Sequence, residues 1–197
     1  MMVTKPFFVH RQPRFFERQS MKKPFPLSRV YGLLEPGPVV LVTTAHQGRV
    51  NIMPMSWHTM MDFEPPLVGC VLSNRNHSFE MLTASKECGL NIPTVDLAAA
   101  VVGCGNTSGR KVDKFKKFHL TQSPATCVKA PLVDQCYASL ECKLVDGGMA
   151  EKYNFFVLKV VKAWVDPAVK NPKTLHHRGR GAFMVAGKTI QLRSKAK

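Results

Sequence analysis

The chain has 197 residues, 45% hydrophobic and 21% charged, an ordinary composition for one folded domain with its own core. The longest apolar runs, Pro38 to Val42 and Leu97 to Val102, fall far short of the ~20 residues a membrane span needs, and the first twenty residues lack the apolar stretch of a secretory leader, which together predict a soluble cytoplasmic protein. Lys and Arg number 28 against 13 acids, a net charge of +15 that asks for an anionic partner: nucleic acid, a membrane surface, a phosphorylated cofactor or a dinucleotide.

Residues 1–28 read as a basic N-terminal arm, with Lys5, Arg11, Arg14, Arg18, Lys22 and Lys23 against Glu17, and with Pro6, Pro13, Pro24 and Pro26 breaking any helix. Met21 opens MKKPFPLSRVYG like a natural start, so the preceding twenty residues are either a start-codon artefact or a disordered extension. From Pro38 the texture changes. Val39 to Thr43 is β-branched and apolar, His46-Gln47-Gly48-Arg49 supplies a turn, and Val50 to Trp57 completes a hairpin. Pro65-Pro66 precede Leu67 to Ser73, apolar on both faces, which predicts a central strand. Ser78 to Lys86 predicts a helix ended by Cys88-Gly89, followed by a short strand from Gly89 to Pro93.

Thr94 is a candidate N-cap for a second helix over Val95 to Val102, stopping at Gly103, with Asp96 in its first turn. Residues 105 to 134 look irregular. Gln135 to Val145 then alternates Ala138, Leu140, Cys142 and Leu144 on one face with Ser139, Glu141 and Lys143 on the other, and Asp146-Gly147-Gly148 turns into a last strand at Asn154 to Val165. About six strands with two short inserted helices, in one domain without repeats, predict a mainly β antiparallel barrel and not a βαβ alternation.

Six cysteines in a chain without a secretion signal predict free thiols, and neither a CxxC pair nor a usable histidine pair argues for a structural zinc. Gly103 to Gly109 has the outline of a dinucleotide-binding turn, but its third glycine is one residue late and a helix, not a strand, precedes it. No nucleophile elbow or carboxylate pair is present, so no side chain is assigned a catalytic role, and a cofactor carrying the reactivity suits such a site. Ser73-Asn74-Arg75-Asn76-His77-Ser78, where a buried strand meets a helix, is either a phosphate-binding junction or a capping loop with Ser78 or Asn76 as N-cap. Asn51 to Thr59 concentrates an indole, thioethers, amides and hydroxyls, which suits either a flat conjugated ring or a core strand with a buried tryptophan.

The order and spacing of several motifs resemble the flavin reductase-like FMN-binding split-barrel family, which includes flavin reductases and flavoredoxin. The matching elements are Pro38 to Thr43, Asn51 with Ser56-Trp57-His58-Thr59, Pro65-Pro66, Arg75-Asn76-His77-Ser78, Leu90-Asn91-Ile92-Pro93, Ser108-Gly109-Arg110 leading to Asp113-Lys114-Phe115, and His176 to Phe183. The resemblance implies a six-stranded antiparallel Greek-key split barrel over residues 29–197, including a C-terminal extension, forming a homodimer with FMN at the subunit interface. It further implies that Asn51, Met53, Met55 and Trp57 line the flavin ring, with Ser56 and Thr59 at its polar edge. Ser73, Arg75, His77 and Ser78 would hold the phosphate, Lys114 would add a positive charge, and Phe183 would approach from the partner subunit. Where the family often has a histidine before the last strand, this chain has Lys152, Tyr153 and Asn154. The implied activity is flavin reduction by NADH or NADPH, with a flavoredoxin-like electron carrier lacking a nicotinamide site as the alternative. A nucleic-acid-binding protein remains as a third reading, resting on charge without any helical or zinc-finger signature.

Overall fold

The computed structural model describes residues 21–193. Its centre is an eight-stranded antiparallel sheet. The strands are β1 (Lys23–Pro24), β2 (Val40–His46), β3 (Arg49–Met55), β4 (His58–Phe63), β5 (Pro66–Val71), β6 (Glu87–Ile92), β9 (Ala138–Asp146) and β10 (Phe155–Val165). Two-residue strands β7 (Gln122–Ser123) and β8 (Leu132–Val133) form one small pair, and β11 (Leu175–Gly179) with β12 (Ala182–Val185) form another. The helices are short: α1 (Tyr31–Leu34), α2 (His77–Ser85), α3 (Ala98–Gly105), α4 (Lys114–Lys117) and α5 (Ala150–Tyr153). None is long and apolar enough to cross a membrane among the described residues.

The main path runs β3-β2-β6-β9-β10-β5-β4, with β1 paired to β10, so the expected mainly β, antiparallel architecture with short inserted helices is present. It has more strands than the six read from the sequence. His58–Phe63 pairs with β5 as a strand of its own, and Lys23-Pro24, placed with the arm in the sequence reading, joins the sheet opposite Val165 and Trp164. The path ends at β3 and β4 without closing on itself. The structure of residues 1–20 lies outside the described residues.

Both predicted hairpins form. β2 and β3 pair from Val40 opposite Met55 to His46 opposite Arg49, across a turn in which Gln47 and Gly48 both take positive φ. β9 and β10 pair along most of their length, with α5 inserted in the connection. β5, however, is not central: it lies between β10 and the end strand β4. Its apolar character has a local cause. Val68 and Cys70 enter the main core, while Gly69 is covered on the other side by Phe155 and Met61, so both faces are occupied near the sheet's margin. β2 is buried on both faces, as are β6 and the first half of β9: Val40 and Val42 join Leu90, Leu140, Phe156 and Leu158, whereas Leu41 packs with Ile52, Val101 and Phe115 under α3 and α4.

Helix ends also move from their expected places. Helix α2 ends at Ser85 because Lys86 takes the left-handed conformation, φ 60°, leaving Cys88-Gly89 inside β6. Val95–Leu97 is a 3-10 turn, and α3 continues through Gly103 to Gly105. Thr94 makes no capping bond and donates to Asp96 instead. Gly103 is a packing position and not a stop: a Cβ there would lie 2.3 Å from the Phe118 ring. On β9, the face carrying Ser139, Glu141 and Lys143 is covered over its first half, with Ser139 and Glu141 both fully buried and Lys143 exposed.

Candidate functional site

The turn from β5 into α2 is held from a distance. Leu72 N–H donates to the Asn154 carbonyl (3.0 Å) and Asn74 N–H to Asn154 Oδ1 (3.1 Å), with Asn154 itself left-handed at φ 57°. Within the turn, Asn76 N–H donates to the Ser73 carbonyl and Arg75 N–H to Ser73 Oγ. Asn76 occupies the N-cap position, but its side chain makes no capping bond. The start of α2 therefore offers backbone donors, the Ser73 hydroxyl, the exposed Arg75 and the imidazole of His77 within one short segment, a combination suited to an anion. Ser78 is fully buried and turned inward, accepting from Asn51 Nδ2 (2.9 Å) and Thr44 Oγ1 (3.4 Å), so the hydroxyl joins α2 to strands β3 and β2.

Asn51 is the hinge of the arrangement. It is only 4% exposed, yet Oδ1 has no hydrogen-bond partner, and unpartnered buried acceptors are rare in folded chains. The backbone of Gly109 passes directly over it: a Cβ at Gly109 would fall 1.9 Å from Oδ1, which only glycine avoids. One residue later, Arg110 forks onto Glu80 of α2 at 2.8 and 2.5 Å, and Glu80 also meets His77 Nδ1 at 3.3 Å. These contacts hold the Glu80 carboxyl below its usual range, with the Arg110 hydrogen bond the largest cause and His77 the next. At the other end of the segment, Gly105 lies against Pro54 of β3. Residues 105–110 thus run alongside β3 from Pro54 back to Asn51 and on to the basic turn.

Lys114 anchors the same region. Its buried ammonium donates to the Ile52 carbonyl (2.8 Å) on end strand β3 and to the Cys104 carbonyl (2.9 Å) in the last turn of α3. Both carbonyls belong to classes that secondary structure leaves short of donors, an outer sheet edge and a helix C-terminus. Burial lowers the lysine pKa from its ordinary value. Lys114→Met is expected to cost about 2 kcal/mol by leaving two buried acceptors unmet, read as a lower midpoint in urea unfolding.

Beside Pro54 lies a cleft of about 280 Å³ whose lining includes Val39, Met55, Ser56, Val101, Asn106 and Phe183. Phe183 reaches it from β12 of the same chain, its ring 5.1 Å from that of His177. A second cleft, about 250 Å³, lies near the other end of the sheet between α1 and β4 and includes Tyr31, His58, Thr59 and Phe63. There His58 Nε2 bonds the Pro38 carbonyl at 2.7 Å while Nδ1 is buried without a partner, and burial lowers its pKa despite that bond, favouring the neutral ring.

The predicted residues therefore fall into groups. Met55, Ser56 and Phe183 share the first cleft; Ser73, Arg75 and His77 share the basic turn; Asn51 and Ser78 bond each other between them. Met53 packs against the main core instead of the cleft, Trp57 is 71% exposed, and Thr59 faces the second cleft. Sequence reading noted Asn154 only as a departure from the family and gave no site role to it, Glu80 or Thr44. Asn154 stands 80 residues from the Asn74 amide it fixes, and no spacing signals that contact. Cysteines offer little chemistry here: all but Cys127 are buried, and burial pushes the thiols of Cys104 and Cys136 up to about 11 and about 12. No group of three metal-ligating side chains occurs among the described residues.

A family model described as a flavin reductase like domain matches residues 33–183. An uncharacterized protein of Escherichia coli K12, YddH, is 32% identical over 181 residues, covering 85% of this chain and 96% of its own length. Among solved structures, the FMN-binding domain of a flavin reductases-like enzyme from Shewanella baltica OS155 superposes with a TM-score of 0.83 at 26% identity, covering 89% of this chain and 99% of that one. Flavoredoxin of Desulfovibrio vulgaris (Miyazaki F) shares the fold with a TM-score of 0.74 at 19% identity, covering 94% and 98%. With three of its motifs meeting along β3, residues 105–110 and the start of α2, and with the family model spanning most of its length, the chain belongs to the flavin reductase-like family.

Proposed function

We propose that the chain binds FMN and acts as an NAD(P)H-dependent flavin reductase. The observation that carries the reading is the continuity between the cleft beside Pro54, the buried and unpartnered Asn51 Oδ1, and the basic turn at Ser73–His77. The residues fit the cofactor chemically. Val39, Met55 and Phe183 provide apolar walls for a flat ring, Ser56 and Asn106 provide polar atoms at its edge, and Asn51 Oδ1 waits for a donor. Ser73, Arg75 and His77 with the backbone N–H groups at the start of α2, which no side chain caps, supply what a phosphate monoester needs. Lys114 serves this site by holding α3 to β3 through carbonyls, which keeps the cleft's two walls in register.

When bound, FMN would supply the redox chemistry, as acceptor of a hydride from NADH or NADPH and donor of electrons onward. The protein's part is orientation and exclusion of water, which fits a site without a general acid or base pair. Two copies of the chain are expected to associate: Trp57, Met61 and Phe63, on the β3–β4 link and end strand β4, are 71%, 50% and 58% exposed, an apolar patch that a second subunit would cover. The match to flavoredoxin along nearly its whole length supports a second reading, an FMN electron carrier reduced by a protein donor.

The test is the visible spectrum of the freshly purified protein, with the released chromophore identified and NADH or NADPH then added without oxygen. Bound FMN that bleaches with a nicotinamide is the result expected of a reductase. FMN that stays oxidised selects the electron carrier, and a colourless protein that cannot be reconstituted with FMN would sink both.

A further inference from the structure

We propose that Glu80 is a positioning residue for phosphate recognition, fixing the guanidinium of Arg110 beside the His77 imidazole so that both side chains face one bound phosphate monoester. The inference rests on the FMN reading above and assigns Arg110 a place in the anion site.

Three observations carry it. First, Glu80 Oε2 is shared: Arg110 Nη1 donates to it at 2.8 Å and His77 Nδ1 lies 3.3 Å from it, so one carboxylate oxygen brings a guanidinium and an imidazole together. Second, the fork is complete, with Arg110 Nη2 on Glu80 Oε1, and it joins segments 30 residues apart in sequence. A guanidinium carries five donors in a rigid plane, so an end held by a carboxylate leaves its remaining N–H groups directed and free. Third, Arg110 follows Gly109, which presses on the 4% exposed Asn51 and its unpartnered Oδ1. The ion pair therefore lies on the strip that runs to an unmet buried acceptor, whereas an isolated surface pair would touch nothing else.

The pair itself is about half exposed, and pairs of that kind add little stability. Its effect is expected in ligand choice. An arginine free to sample its rotamers must be ordered when an anion arrives, and one already fixed by Glu80 need not be. The opposing electrostatic effect, a carboxylate near a phosphate, is weakened by solvent at this exposure.

The experiment compares FMN with riboflavin, which lacks the phosphate, by fluorescence titration of the full chain at fixed ionic strength. Variants are Glu80→Gln, Arg110→Gln and the double substitution, and thermal melts report their folding. Wild-type protein is expected to prefer FMN. Each single variant should lower the FMN to riboflavin affinity ratio about fivefold to tenfold, and the double variant should lower it no further than Arg110→Gln alone. A ratio that is unchanged or raised in Glu80→Gln overturns the proposal, as does a double variant whose loss is the product of the two single losses. Wild-type protein that binds both flavins equally would instead overturn the phosphate assignment on which the proposal stands, and protein that binds neither would overturn the flavin reading itself.

Discussion

Glu141→Gln is expected to destabilise the fold by about 3 kcal/mol, which for a chain of this size lowers the melting temperature by about 6–12 °C. Glu141 is fully buried on β9 and takes hydrogen bonds from Trp164 Nε1 (2.7 Å), from Thr126 through both N–H and Oγ1, and from Cys127 N–H. Burial by itself would raise its pKa; the hydrogen bonds from Trp164, Thr126 and Cys127 together outweigh that and hold it below the usual value. A glutamine at this position loses the charge and turns an amide group toward donors that need an acceptor.

The pH dependence follows with a definite sign. A carboxyl depressed on folding stabilises the native state above its unfolded pKa, and that contribution is lost as pH falls through the lower folded value. The gap between wild type and Glu141→Gln, measured by urea unfolding, should be widest at neutral pH. It should narrow on acidification below the ordinary carboxylate range, as the wild-type carboxyl protonates. A gap that stays constant from pH 7 down to pH 3 would show that the charge is not what the donors require.

Glu141 also marks where the sequence stops being legible. The β2–β3 and β9–β10 hairpins could be read locally, because turn residues and alternation set register within a few residues. Which face of β9 meets solvent is not local information. The loop carrying Thr126 and Cys127 covers Glu141, and Lys22 reaches over to donate to Ser139 Oγ and the Val133 carbonyl. The same limit explains β5, whose two-faced apolar pattern comes from the neighbours Met61 and Phe155 and says nothing of its place in the sheet. At the candidate site, the Ser73–Ser78 run was legible because its donors are contiguous. Its anchors were not: Asn154 and the Glu80–Arg110 fork depend on contacts across 80 and 30 residues. Lys114 stood out as a cation in its motif, but only the fold places its ammonium on two carbonyls.

Asn51→Ala is expected to weaken FMN binding about tenfold to a hundredfold while costing the fold only about 1 kcal/mol. The asymmetry comes from the two ends of the amide. Nδ2 donates to Ser78 Oγ, and its removal leaves that hydroxyl with Thr44, a modest loss within the protein. Oδ1, in contrast, is desolvated and unpartnered in the chain alone, so the protein already carries its cost and recovers it only when a ligand supplies a donor. Removing the side chain therefore takes away more from the complex than from the free protein. Fluorescence titration gives the first quantity and a melting curve without flavin the second. If Asn51 serves only to brace Ser78 beneath Gly109, the melting temperature will fall and FMN affinity in the folded fraction will match wild type. If it receives the ligand, affinity will fall while the cofactor-free melting curve shifts by only a few degrees, and added FMN will raise the melting temperature of the wild type far more than that of the variant.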